Sequence, residues 1–101
     1  MTRPDAPQDV HPEDLYAELL RRFQALEPIE CTLTDESHRH RGHPGARGGA
    51  RHFHVRIVSN QFEGIGALAR HRMVLGCVQN LMPHPVHALA IQAFTPTEGN
   101  T

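Results

Sequence analysis

The chain is short, with 101 residues, so it has room for a single domain with one modest core. Its formal net charge is −1, which argues against the overall positive field of a strongly basic nucleic-acid-binding protein, although a local basic face is compatible with it. No apolar run approaches the roughly 20 residues that a membrane-spanning helix needs, and the polar N-terminus lacks a signal-peptide core. The two cysteines form neither a CxxC pair nor a disulfide framework, so we expect a cytoplasmic protein with reduced thiols.

The N-terminal part of the chain predicts a helix followed by a strand. Residues 1–10 are rich in proline and aspartate and are expected to be loose. A helix should begin near His11, because Pro12 suits the first helical position and the apolar residues that follow recur at helical spacing. Glu27-Pro28 stops this helix. The alternation typical of a half-buried strand comes next, with apolar residues at Ile29, Cys31 and Leu33.

The C-terminal part predicts a strand, a second helix and a last strand. The same alternation returns with apolar residues at Phe53, Val55 and Ile57. After a connector that contains two glycines, a second helix should cover Ala67 to about Leu81. The last strand, from His84 to Phe94, is apolar and is closed by Thr95-Pro96. Residues 96–101 are expected to form a loose tail.

The order of these elements indicates the fold class. The second strand, the second helix and the last strand form a crossover unit, which makes those two strands parallel. Two amphipathic helices and a small sheet then give a two-layer α+β domain of the order αββαβ, with a three-stranded mixed sheet packed on helices. This single domain should span residues 11–95.

Two histidines lie at informative places in the predicted elements. His87 opens the last strand, and the alternation of side chains places it on the inward face with Leu89 and Ile91. It is either a half-buried histidine bonded to the backbone or a metal ligand on a rigid element, and one histidine alone makes no metal site. His71 falls within the apolar stripe of the second helix and is interpreted as a structural histidine, so His71→Ala should cost about 1–3 kcal/mol of stability.

A histidine-rich loop joins the first two strands. Residues 36–49 are too many for a tight hairpin, and loops of this length in compact domains are usually functional or mobile. The loop histidines are candidates for binding Zn²⁺ or Ni²⁺ without a partner, namely His38, His40 and His43. Their spacing matches no recognised zinc finger, so a solvated polar loop is the alternative.

Positive charge also allows a DNA-binding interpretation. Arginines on the second strand and second helix would contact the phosphates, above all Arg56, Arg70 and Arg72. No aromatic stacking platform accompanies them, because the phenylalanines are predicted to lie in the core. An enzyme is not expected, since the chain offers no serine–histidine–acid constellation, no phosphate loop and no paired carboxylates on a rigid element.

A set of short motifs between residues 35 and 91 resembles the BolA family. In chain order the matching residues are Asp35-Glu36-Ser37, a loop containing His40, His52-Phe53-x-Val55, Ile57-Val58-Ser59, Phe62-Glu63-Gly64, Arg70-His71-Arg72 and Val86-His87-Ala88-Leu89-Ala90-Ile91. The Arg-His-Arg and His-Ala-Leu-Ala motifs, separated by the length of a helix, make the resemblance specific.

The resemblance implies a fold similar to the class II K-homology domain and partnership with a monothiol glutaredoxin as a heterodimer. In such complexes the two proteins share a [2Fe–2S] cluster, for which the glutaredoxin cysteine and glutathione supply thiolates. The BolA-like protein supplies a histidine from its last strand, here His87, and a second ligand or contact from the loop, here His40, with His38 and His43 as competitors. Some bacterial members are instead DNA-binding transcriptional regulators. This chain has Gly64-x-Gly66 where the K-homology pattern has GxxG, which weakens a transfer of that nucleic-acid grip.

Overall fold

The computed structural model describes residues 12–36 and 51–99 of the chain. Three helices are present in these ranges: α1 (Pro12–Phe23), α2 (Ala67–Val78) and the short α3 (Pro96–Gly99). The three strands are β1 (Glu30–Asp35), β2 (Arg51–Val58) and β3 (Val86–Phe94). Both long helices end in a turn of 3₁₀-helix, Gln24–Leu26 after α1 and Gln79–Leu81 after α2, and a third such turn covers Asn60–Phe62.

The strands form one mixed sheet in the order β1-β2-β3. β1 pairs with β2 in antiparallel fashion, and β2 pairs with β3 in parallel fashion, with α2 in the connection between them. This is the αββαβ order and the parallel crossover that the sequence predicts. The two-layer α+β fold class is therefore confirmed.

The core lies between the helices and one face of the sheet, which we call the inner face. Alternate residues of β2 are buried there, namely Phe53, Val55 and Ile57. They pack in one cluster with the apolar stripes of α1 and α2, including Leu15, Leu19, Phe23, Val74 and Val78. Each such side chain contributes about 1.5–3 kcal/mol when it is fully buried. The Tyr16 hydroxyl also donates to the Leu33 carbonyl (2.8 Å), which joins α1 to β1.

The opposite face of the sheet, which we call the outer face, carries the remaining strand residues. On β1 these include the exposed Thr32 and Thr34, and on β3 they include the exposed Ala90 and Gln92. The end of this face near the last residues of β2 is covered by α3, whose Gly99 lies close to the Val58 side chain. Much of the outer face of the described sheet is thus accessible to solvent.

Two predictions about apolar positions are wrong. Ile29 was expected on the buried face of the first strand, but it precedes β1 and is 62% exposed. His71 was expected to touch the core, but it is exposed. The inward positions of α2 are Arg70, Val74 and Val78, and the next residue along a helix is rotated by about 100°, which turns His71 to solvent.

The predicted loose tail after residue 95 is also corrected. Residues Pro96–Gly99 form α3, and Thr95 before it is buried. The Glu98 carboxylate accepts hydrogen bonds from the Thr95 amide (2.9 Å) and from Arg70 of α2 (2.6 Å). These contacts hold the end of the described chain against the domain.

Candidate functional site

The candidate site lies on the outer face, where the parallel strands β2 and β3 both begin. The pairing here is irregular: Arg51 is the partner of Val86, but the next residue of β2, His52, is the partner of Ala88. His87 is therefore an extra residue in β3 that has no pairing partner in β2. This two-against-one arrangement is a β-bulge, and bulges commonly redirect a side chain.

The bulge changes the face on which His87 lies. Val86 is fully buried, His87 is exposed, and the regular inward positions resume at Leu89 and Ile91, which pack against the core. The prediction that His87 shares the inward face of Leu89 and Ile91 is therefore wrong. Strict alternation assigned the wrong face because the extra residue exchanges the inner and outer faces for the strand residues that precede Ala88.

The bulge brings His87 beside His52. Their ring centroids are 5.2 Å apart and the ring planes are inclined by 39°. His52 is half-buried and His87 is exposed. Sequence reasoning placed His87 on the inward side of its strand, so it missed this pair. The available signal was Pro85 before the strand, which favours irregular pairing at its start.

A third histidine follows on the same side of β2. The ring of His54 lies 3.0 Å from the Gln92 amide oxygen, measured from Nε2, so it is linked to β3 through a side chain. Within residues 12–36 and 51–99 no group of three or more His, Cys, Asp or Glu side chains is arranged to hold a metal ion. The candidate ligands His38, His40 and His43 lie outside the described residues, so their part in a site stays a prediction.

Comparison with known proteins places this arrangement in a family. The family model described as BolA-like protein matches residues 23–98. The chain belongs to the BolA family. BolA-like protein 1 of Bos taurus is 45% identical over 75 residues, covering 74% of this chain and 53% of the relative. The chloroplastic protein BOLA1 of Arabidopsis thaliana is 41% identical over 76 residues, covering 72% of this chain and 48% of the relative.

Solved structures of BolA domains share the fold of this BolA-family chain. The BolA domain of SufE1 from Arabidopsis thaliana superimposes with a TM-score of 0.70 at 35% identity, covering 81% of this chain and 92% of that domain. BolA1 from Mus musculus gives a TM-score of 0.68 at 37% identity, covering 99% of this chain and 79% of that one. The chain spans about half of the length of the curated relatives described above.

The thiols of this BolA-family protein are poor candidates for ligands. Cys31 and Cys77 are unpaired and half-buried. Burial raises the pKa of both thiols, and for Cys77 the nearby Arg22 opposes this effect only in part. Cysteine binds a metal ion as the thiolate, and a raised pKa disfavours that form. The cysteines therefore have the environment of small core-edge residues.

Two of the arginines singled out for DNA binding make contacts within the domain. Arg70 donates to the carbonyls of Ile65 (2.6 Å) and Ala93 (3.1 Å) as well as to Glu98, and its guanidinium lies over Phe62. Its neighbour Arg72 is exposed. These contacts of Arg70 connect α2, β3 and α3.

Arg56 is engaged in a similar way on the outer face. It donates to Glu30 of β1 and to the Gly99 carbonyl (2.9 Å), and its guanidinium lies over the Phe94 ring.

No helix in the described ranges is long and apolar enough to cross a membrane. The cytoplasmic location expected from the sequence stays a prediction.

Proposed function

We propose that this protein is a non-enzymatic partner of a monothiol glutaredoxin, with which it shares a [2Fe–2S] cluster in iron–sulfur trafficking or iron and redox signalling. Membership of the BolA family together with the exposed His87 at the bulge is the observation that carries the proposal. His87 would be the ligand from this chain, and His40 the second ligand or contact, with His38 and His43 as alternatives. The cysteine of glutaredoxin and glutathione would supply the thiolates.

The donor set of the described residues fits a shared centre better than a self-contained one. It offers imidazoles on the outer face, while both thiols have a raised pKa and no group of three metal-binding side chains occurs in the described ranges. The described residues alone would need further donors, such as those of a partner, to complete the coordination of iron. A cluster with imidazole on one iron has a higher reduction potential than one held by thiolates alone.

The fold holds His87 in a defined position. Val86 before it is fully buried, and Ala88 after it is the ladder partner of His52. The backbone on both sides of His87 is therefore fixed, while its side chain is exposed. Small exposed side chains lie on the same face, including Thr34 and Ala90, and leave a partner room to approach. A rigid, accessible imidazole favours assembly of a centre between two proteins.

Mixing the pure protein with a cluster-loaded monothiol glutaredoxin tests this proposal. We expect a complex whose visible absorption and circular dichroism differ from those of the glutaredoxin alone. His87→Ala should form a complex with a different spectrum and faster cluster loss, because an iron loses its imidazole, and His40→Ala should cause a smaller change. His54→Ala is the matched control, since His54 lies on the same face and is bonded to Gln92.

Two results would contradict the proposal. One is a protein that neither binds the glutaredoxin nor alters its cluster spectrum. The other is a His87→Ala complex spectroscopically identical to that of the unmodified protein, which would remove His87 from the ligand set. Binding with unchanged spectra in every histidine variant would leave the partnership but move the ligands elsewhere.

The DNA-binding alternative stays a prediction without a specific structural observation in its favour. Arg56 and Arg70 are used in contacts within the domain, which leaves the exposed Arg72 as the simplest probe. If DNA is bound through phosphates, affinity should fall steeply with salt and weaken in Arg72→Ala. Failure to shift duplex DNA at low salt would remove this alternative.

A further inference from the structure

We propose that His52 and His87 form a two-imidazole site that binds one divalent cation of borderline softness, such as Zn²⁺, in the absence of any partner protein. The site lies on the outer face at the start of β2 and β3. It differs from the loop site that the sequence suggests, because it requires none of the loop histidines. It also does not rest on the glutaredoxin partnership, although both proposals use His87.

The separation of the rings matches a chelate. A ring nitrogen binds Zn²⁺ at about 2.0–2.1 Å, which puts the centre of that ring about 3.2 Å from the metal. Around a tetrahedral ion the centres of two such rings then lie roughly 5 Å apart. The centroids of His52 and His87 are 5.2 Å apart, so both rings can reach one ion with little movement of the backbone.

Backbone pairing holds both residues near this separation before a cation arrives. His52 is in the central strand, where it is the ladder partner of Ala88 and its carbonyl accepts the Glu36 amide (2.8 Å). His87 is fixed between the buried Val86 and the paired Ala88. Binding then needs only side-chain adjustment, so less conformational entropy is lost than for ligands on a mobile segment.

The chemistry of the pair selects the class of cation. Imidazole nitrogen suits Zn²⁺, Cu²⁺ and Ni²⁺, whereas Ca²⁺ and Mg²⁺ require oxygen ligands. Two histidines leave further coordination positions for water or for a donor from another molecule, and the exposed side of His87 gives access to them. A cation at this site would compete with a shared cluster for His87.

Calorimetric titration with Zn²⁺ alone at neutral pH tests the site. All 101 residues are kept, in a background where His38, His40 and His43 are replaced by Asn, so that loop binding does not interfere. We expect one Zn²⁺ per chain in this background. His52→Ala and His87→Ala should each lower the affinity by about tenfold or more. The variant that carries both substitutions should bind Zn²⁺ about as weakly as the weaker of the two single variants. Loss of either histidine already removes the chelate.

Two aromatic rings that only pack against each other also have centroids about 5 Å apart. Matched variants distinguish such packing from a metal chelate. His54→Ala should keep the affinity within about twofold, since its ring lies two residues further along β2. His52→Gln keeps a side chain of similar length without the imidazole and covers the case that His52→Ala unfolds. Thermal melting checks that every variant is folded.

Several results would overturn the proposal. These are the absence of Zn²⁺ binding in the loop-substituted background, affinity unchanged by His87→Ala, and affinity unchanged by both His52 variants. An equal loss in His54→Ala would show diffuse binding by surface histidines instead. None of these results affects the glutaredoxin proposal, which is tested by the cluster spectra of the mixed complex.

Discussion

The two ends of the parallel pair β2–β3 differ in how they use polar side chains. At the closed end, where the strands finish, Ser59 is fully buried and α3 packs so closely that a Cβ on Gly99 would lie 2.9 Å from Val58 Cγ2. At the open end, where the strands begin, His87 is exposed beside His52. Polar groups of the closed end are bonded within the domain and maintain the fold, while the open end leaves the imidazole of His87 exposed to solvent.

Ser59→Ala should have the largest effect on stability. The Ser59 hydroxyl donates to the Leu26 carbonyl (2.6 Å) and accepts the Gln61 amide (3.0 Å), so it ends one helical segment and begins another. Its loss leaves both groups without this partner, which costs about 1–3 kcal/mol. Urea unfolding measures the change, with Thr32→Ala on the exposed outer face as control. Equal midpoints for the two variants would refute the importance of this serine.

Arg70→Ala should lower the melting temperature by several degrees, whereas Arg72→Ala should leave it nearly unchanged. Arg70 connects Ile65, Ala93 and Glu98, while Arg72, two residues later on α2, is exposed. The comparison distinguishes an arginine that makes hydrogen bonds within the closed end from one whose side chain is exposed to solvent. Similar melting curves for the two variants would show that the contacts of Arg70 add little to stability.

Acid should weaken the closed end through Glu98. Hydrogen bonds from Arg70, and then from the Thr95 backbone, lower the pKa of Glu98 from 4.5 to about 2. Because the folded state binds this proton less readily, the contribution is present above the unfolded pKa and is lost as the pH falls from about 4.5 to about 2. Unfolding curves across this pH range should show that Glu98→Gln loses less stability on acidification than the unmodified protein does. Parallel pH profiles for the two proteins would contradict the assignment.

The smallest effects on stability are expected at exposed histidines. His87→Ala and His71→Ala should each change the free energy of unfolding by no more than about 0.5 kcal/mol, because both side chains are exposed. For His71 this replaces the larger loss expected from the sequence. A loss of more than about 1 kcal/mol in the free energy of unfolding of His87→Ala, twice the expected limit, would mean that the open end also stabilises the fold.

The fold was predictable because its elements carry strong local signals. Pro12 and Glu27-Pro28 bracket the first helix, and the alternation at Phe53, Val55 and Ile57 marks the buried face of β2. Hydrophobic periodicity depends on the chain next to each residue, so it is visible in a single sequence. The parallel pairing of β2 and β3 then followed from the helix between them.

The site was less predictable because it depends on pairing between distant strands. The choice of His87 came from a family resemblance, but its face was assigned wrongly, since a bulge depends on how β3 aligns with β2. His52 was missed for the same reason. At its inward position on α2, Arg70 has partners in Glu98 and Ala93, which are distant in sequence, and no periodic pattern contains that information.

The bulge has a second consequence, for association between molecules. β3 is at the edge of the sheet, and an edge strand offers backbone groups with which another chain can pair and aggregate. The extra residue at His87 interrupts the regular spacing of these groups at the start of β3. A regular strand from a second molecule therefore cannot stay in register along the whole edge. The irregularity that exposes the histidine therefore also shortens the regular stretch of edge with which a strand of another molecule could pair.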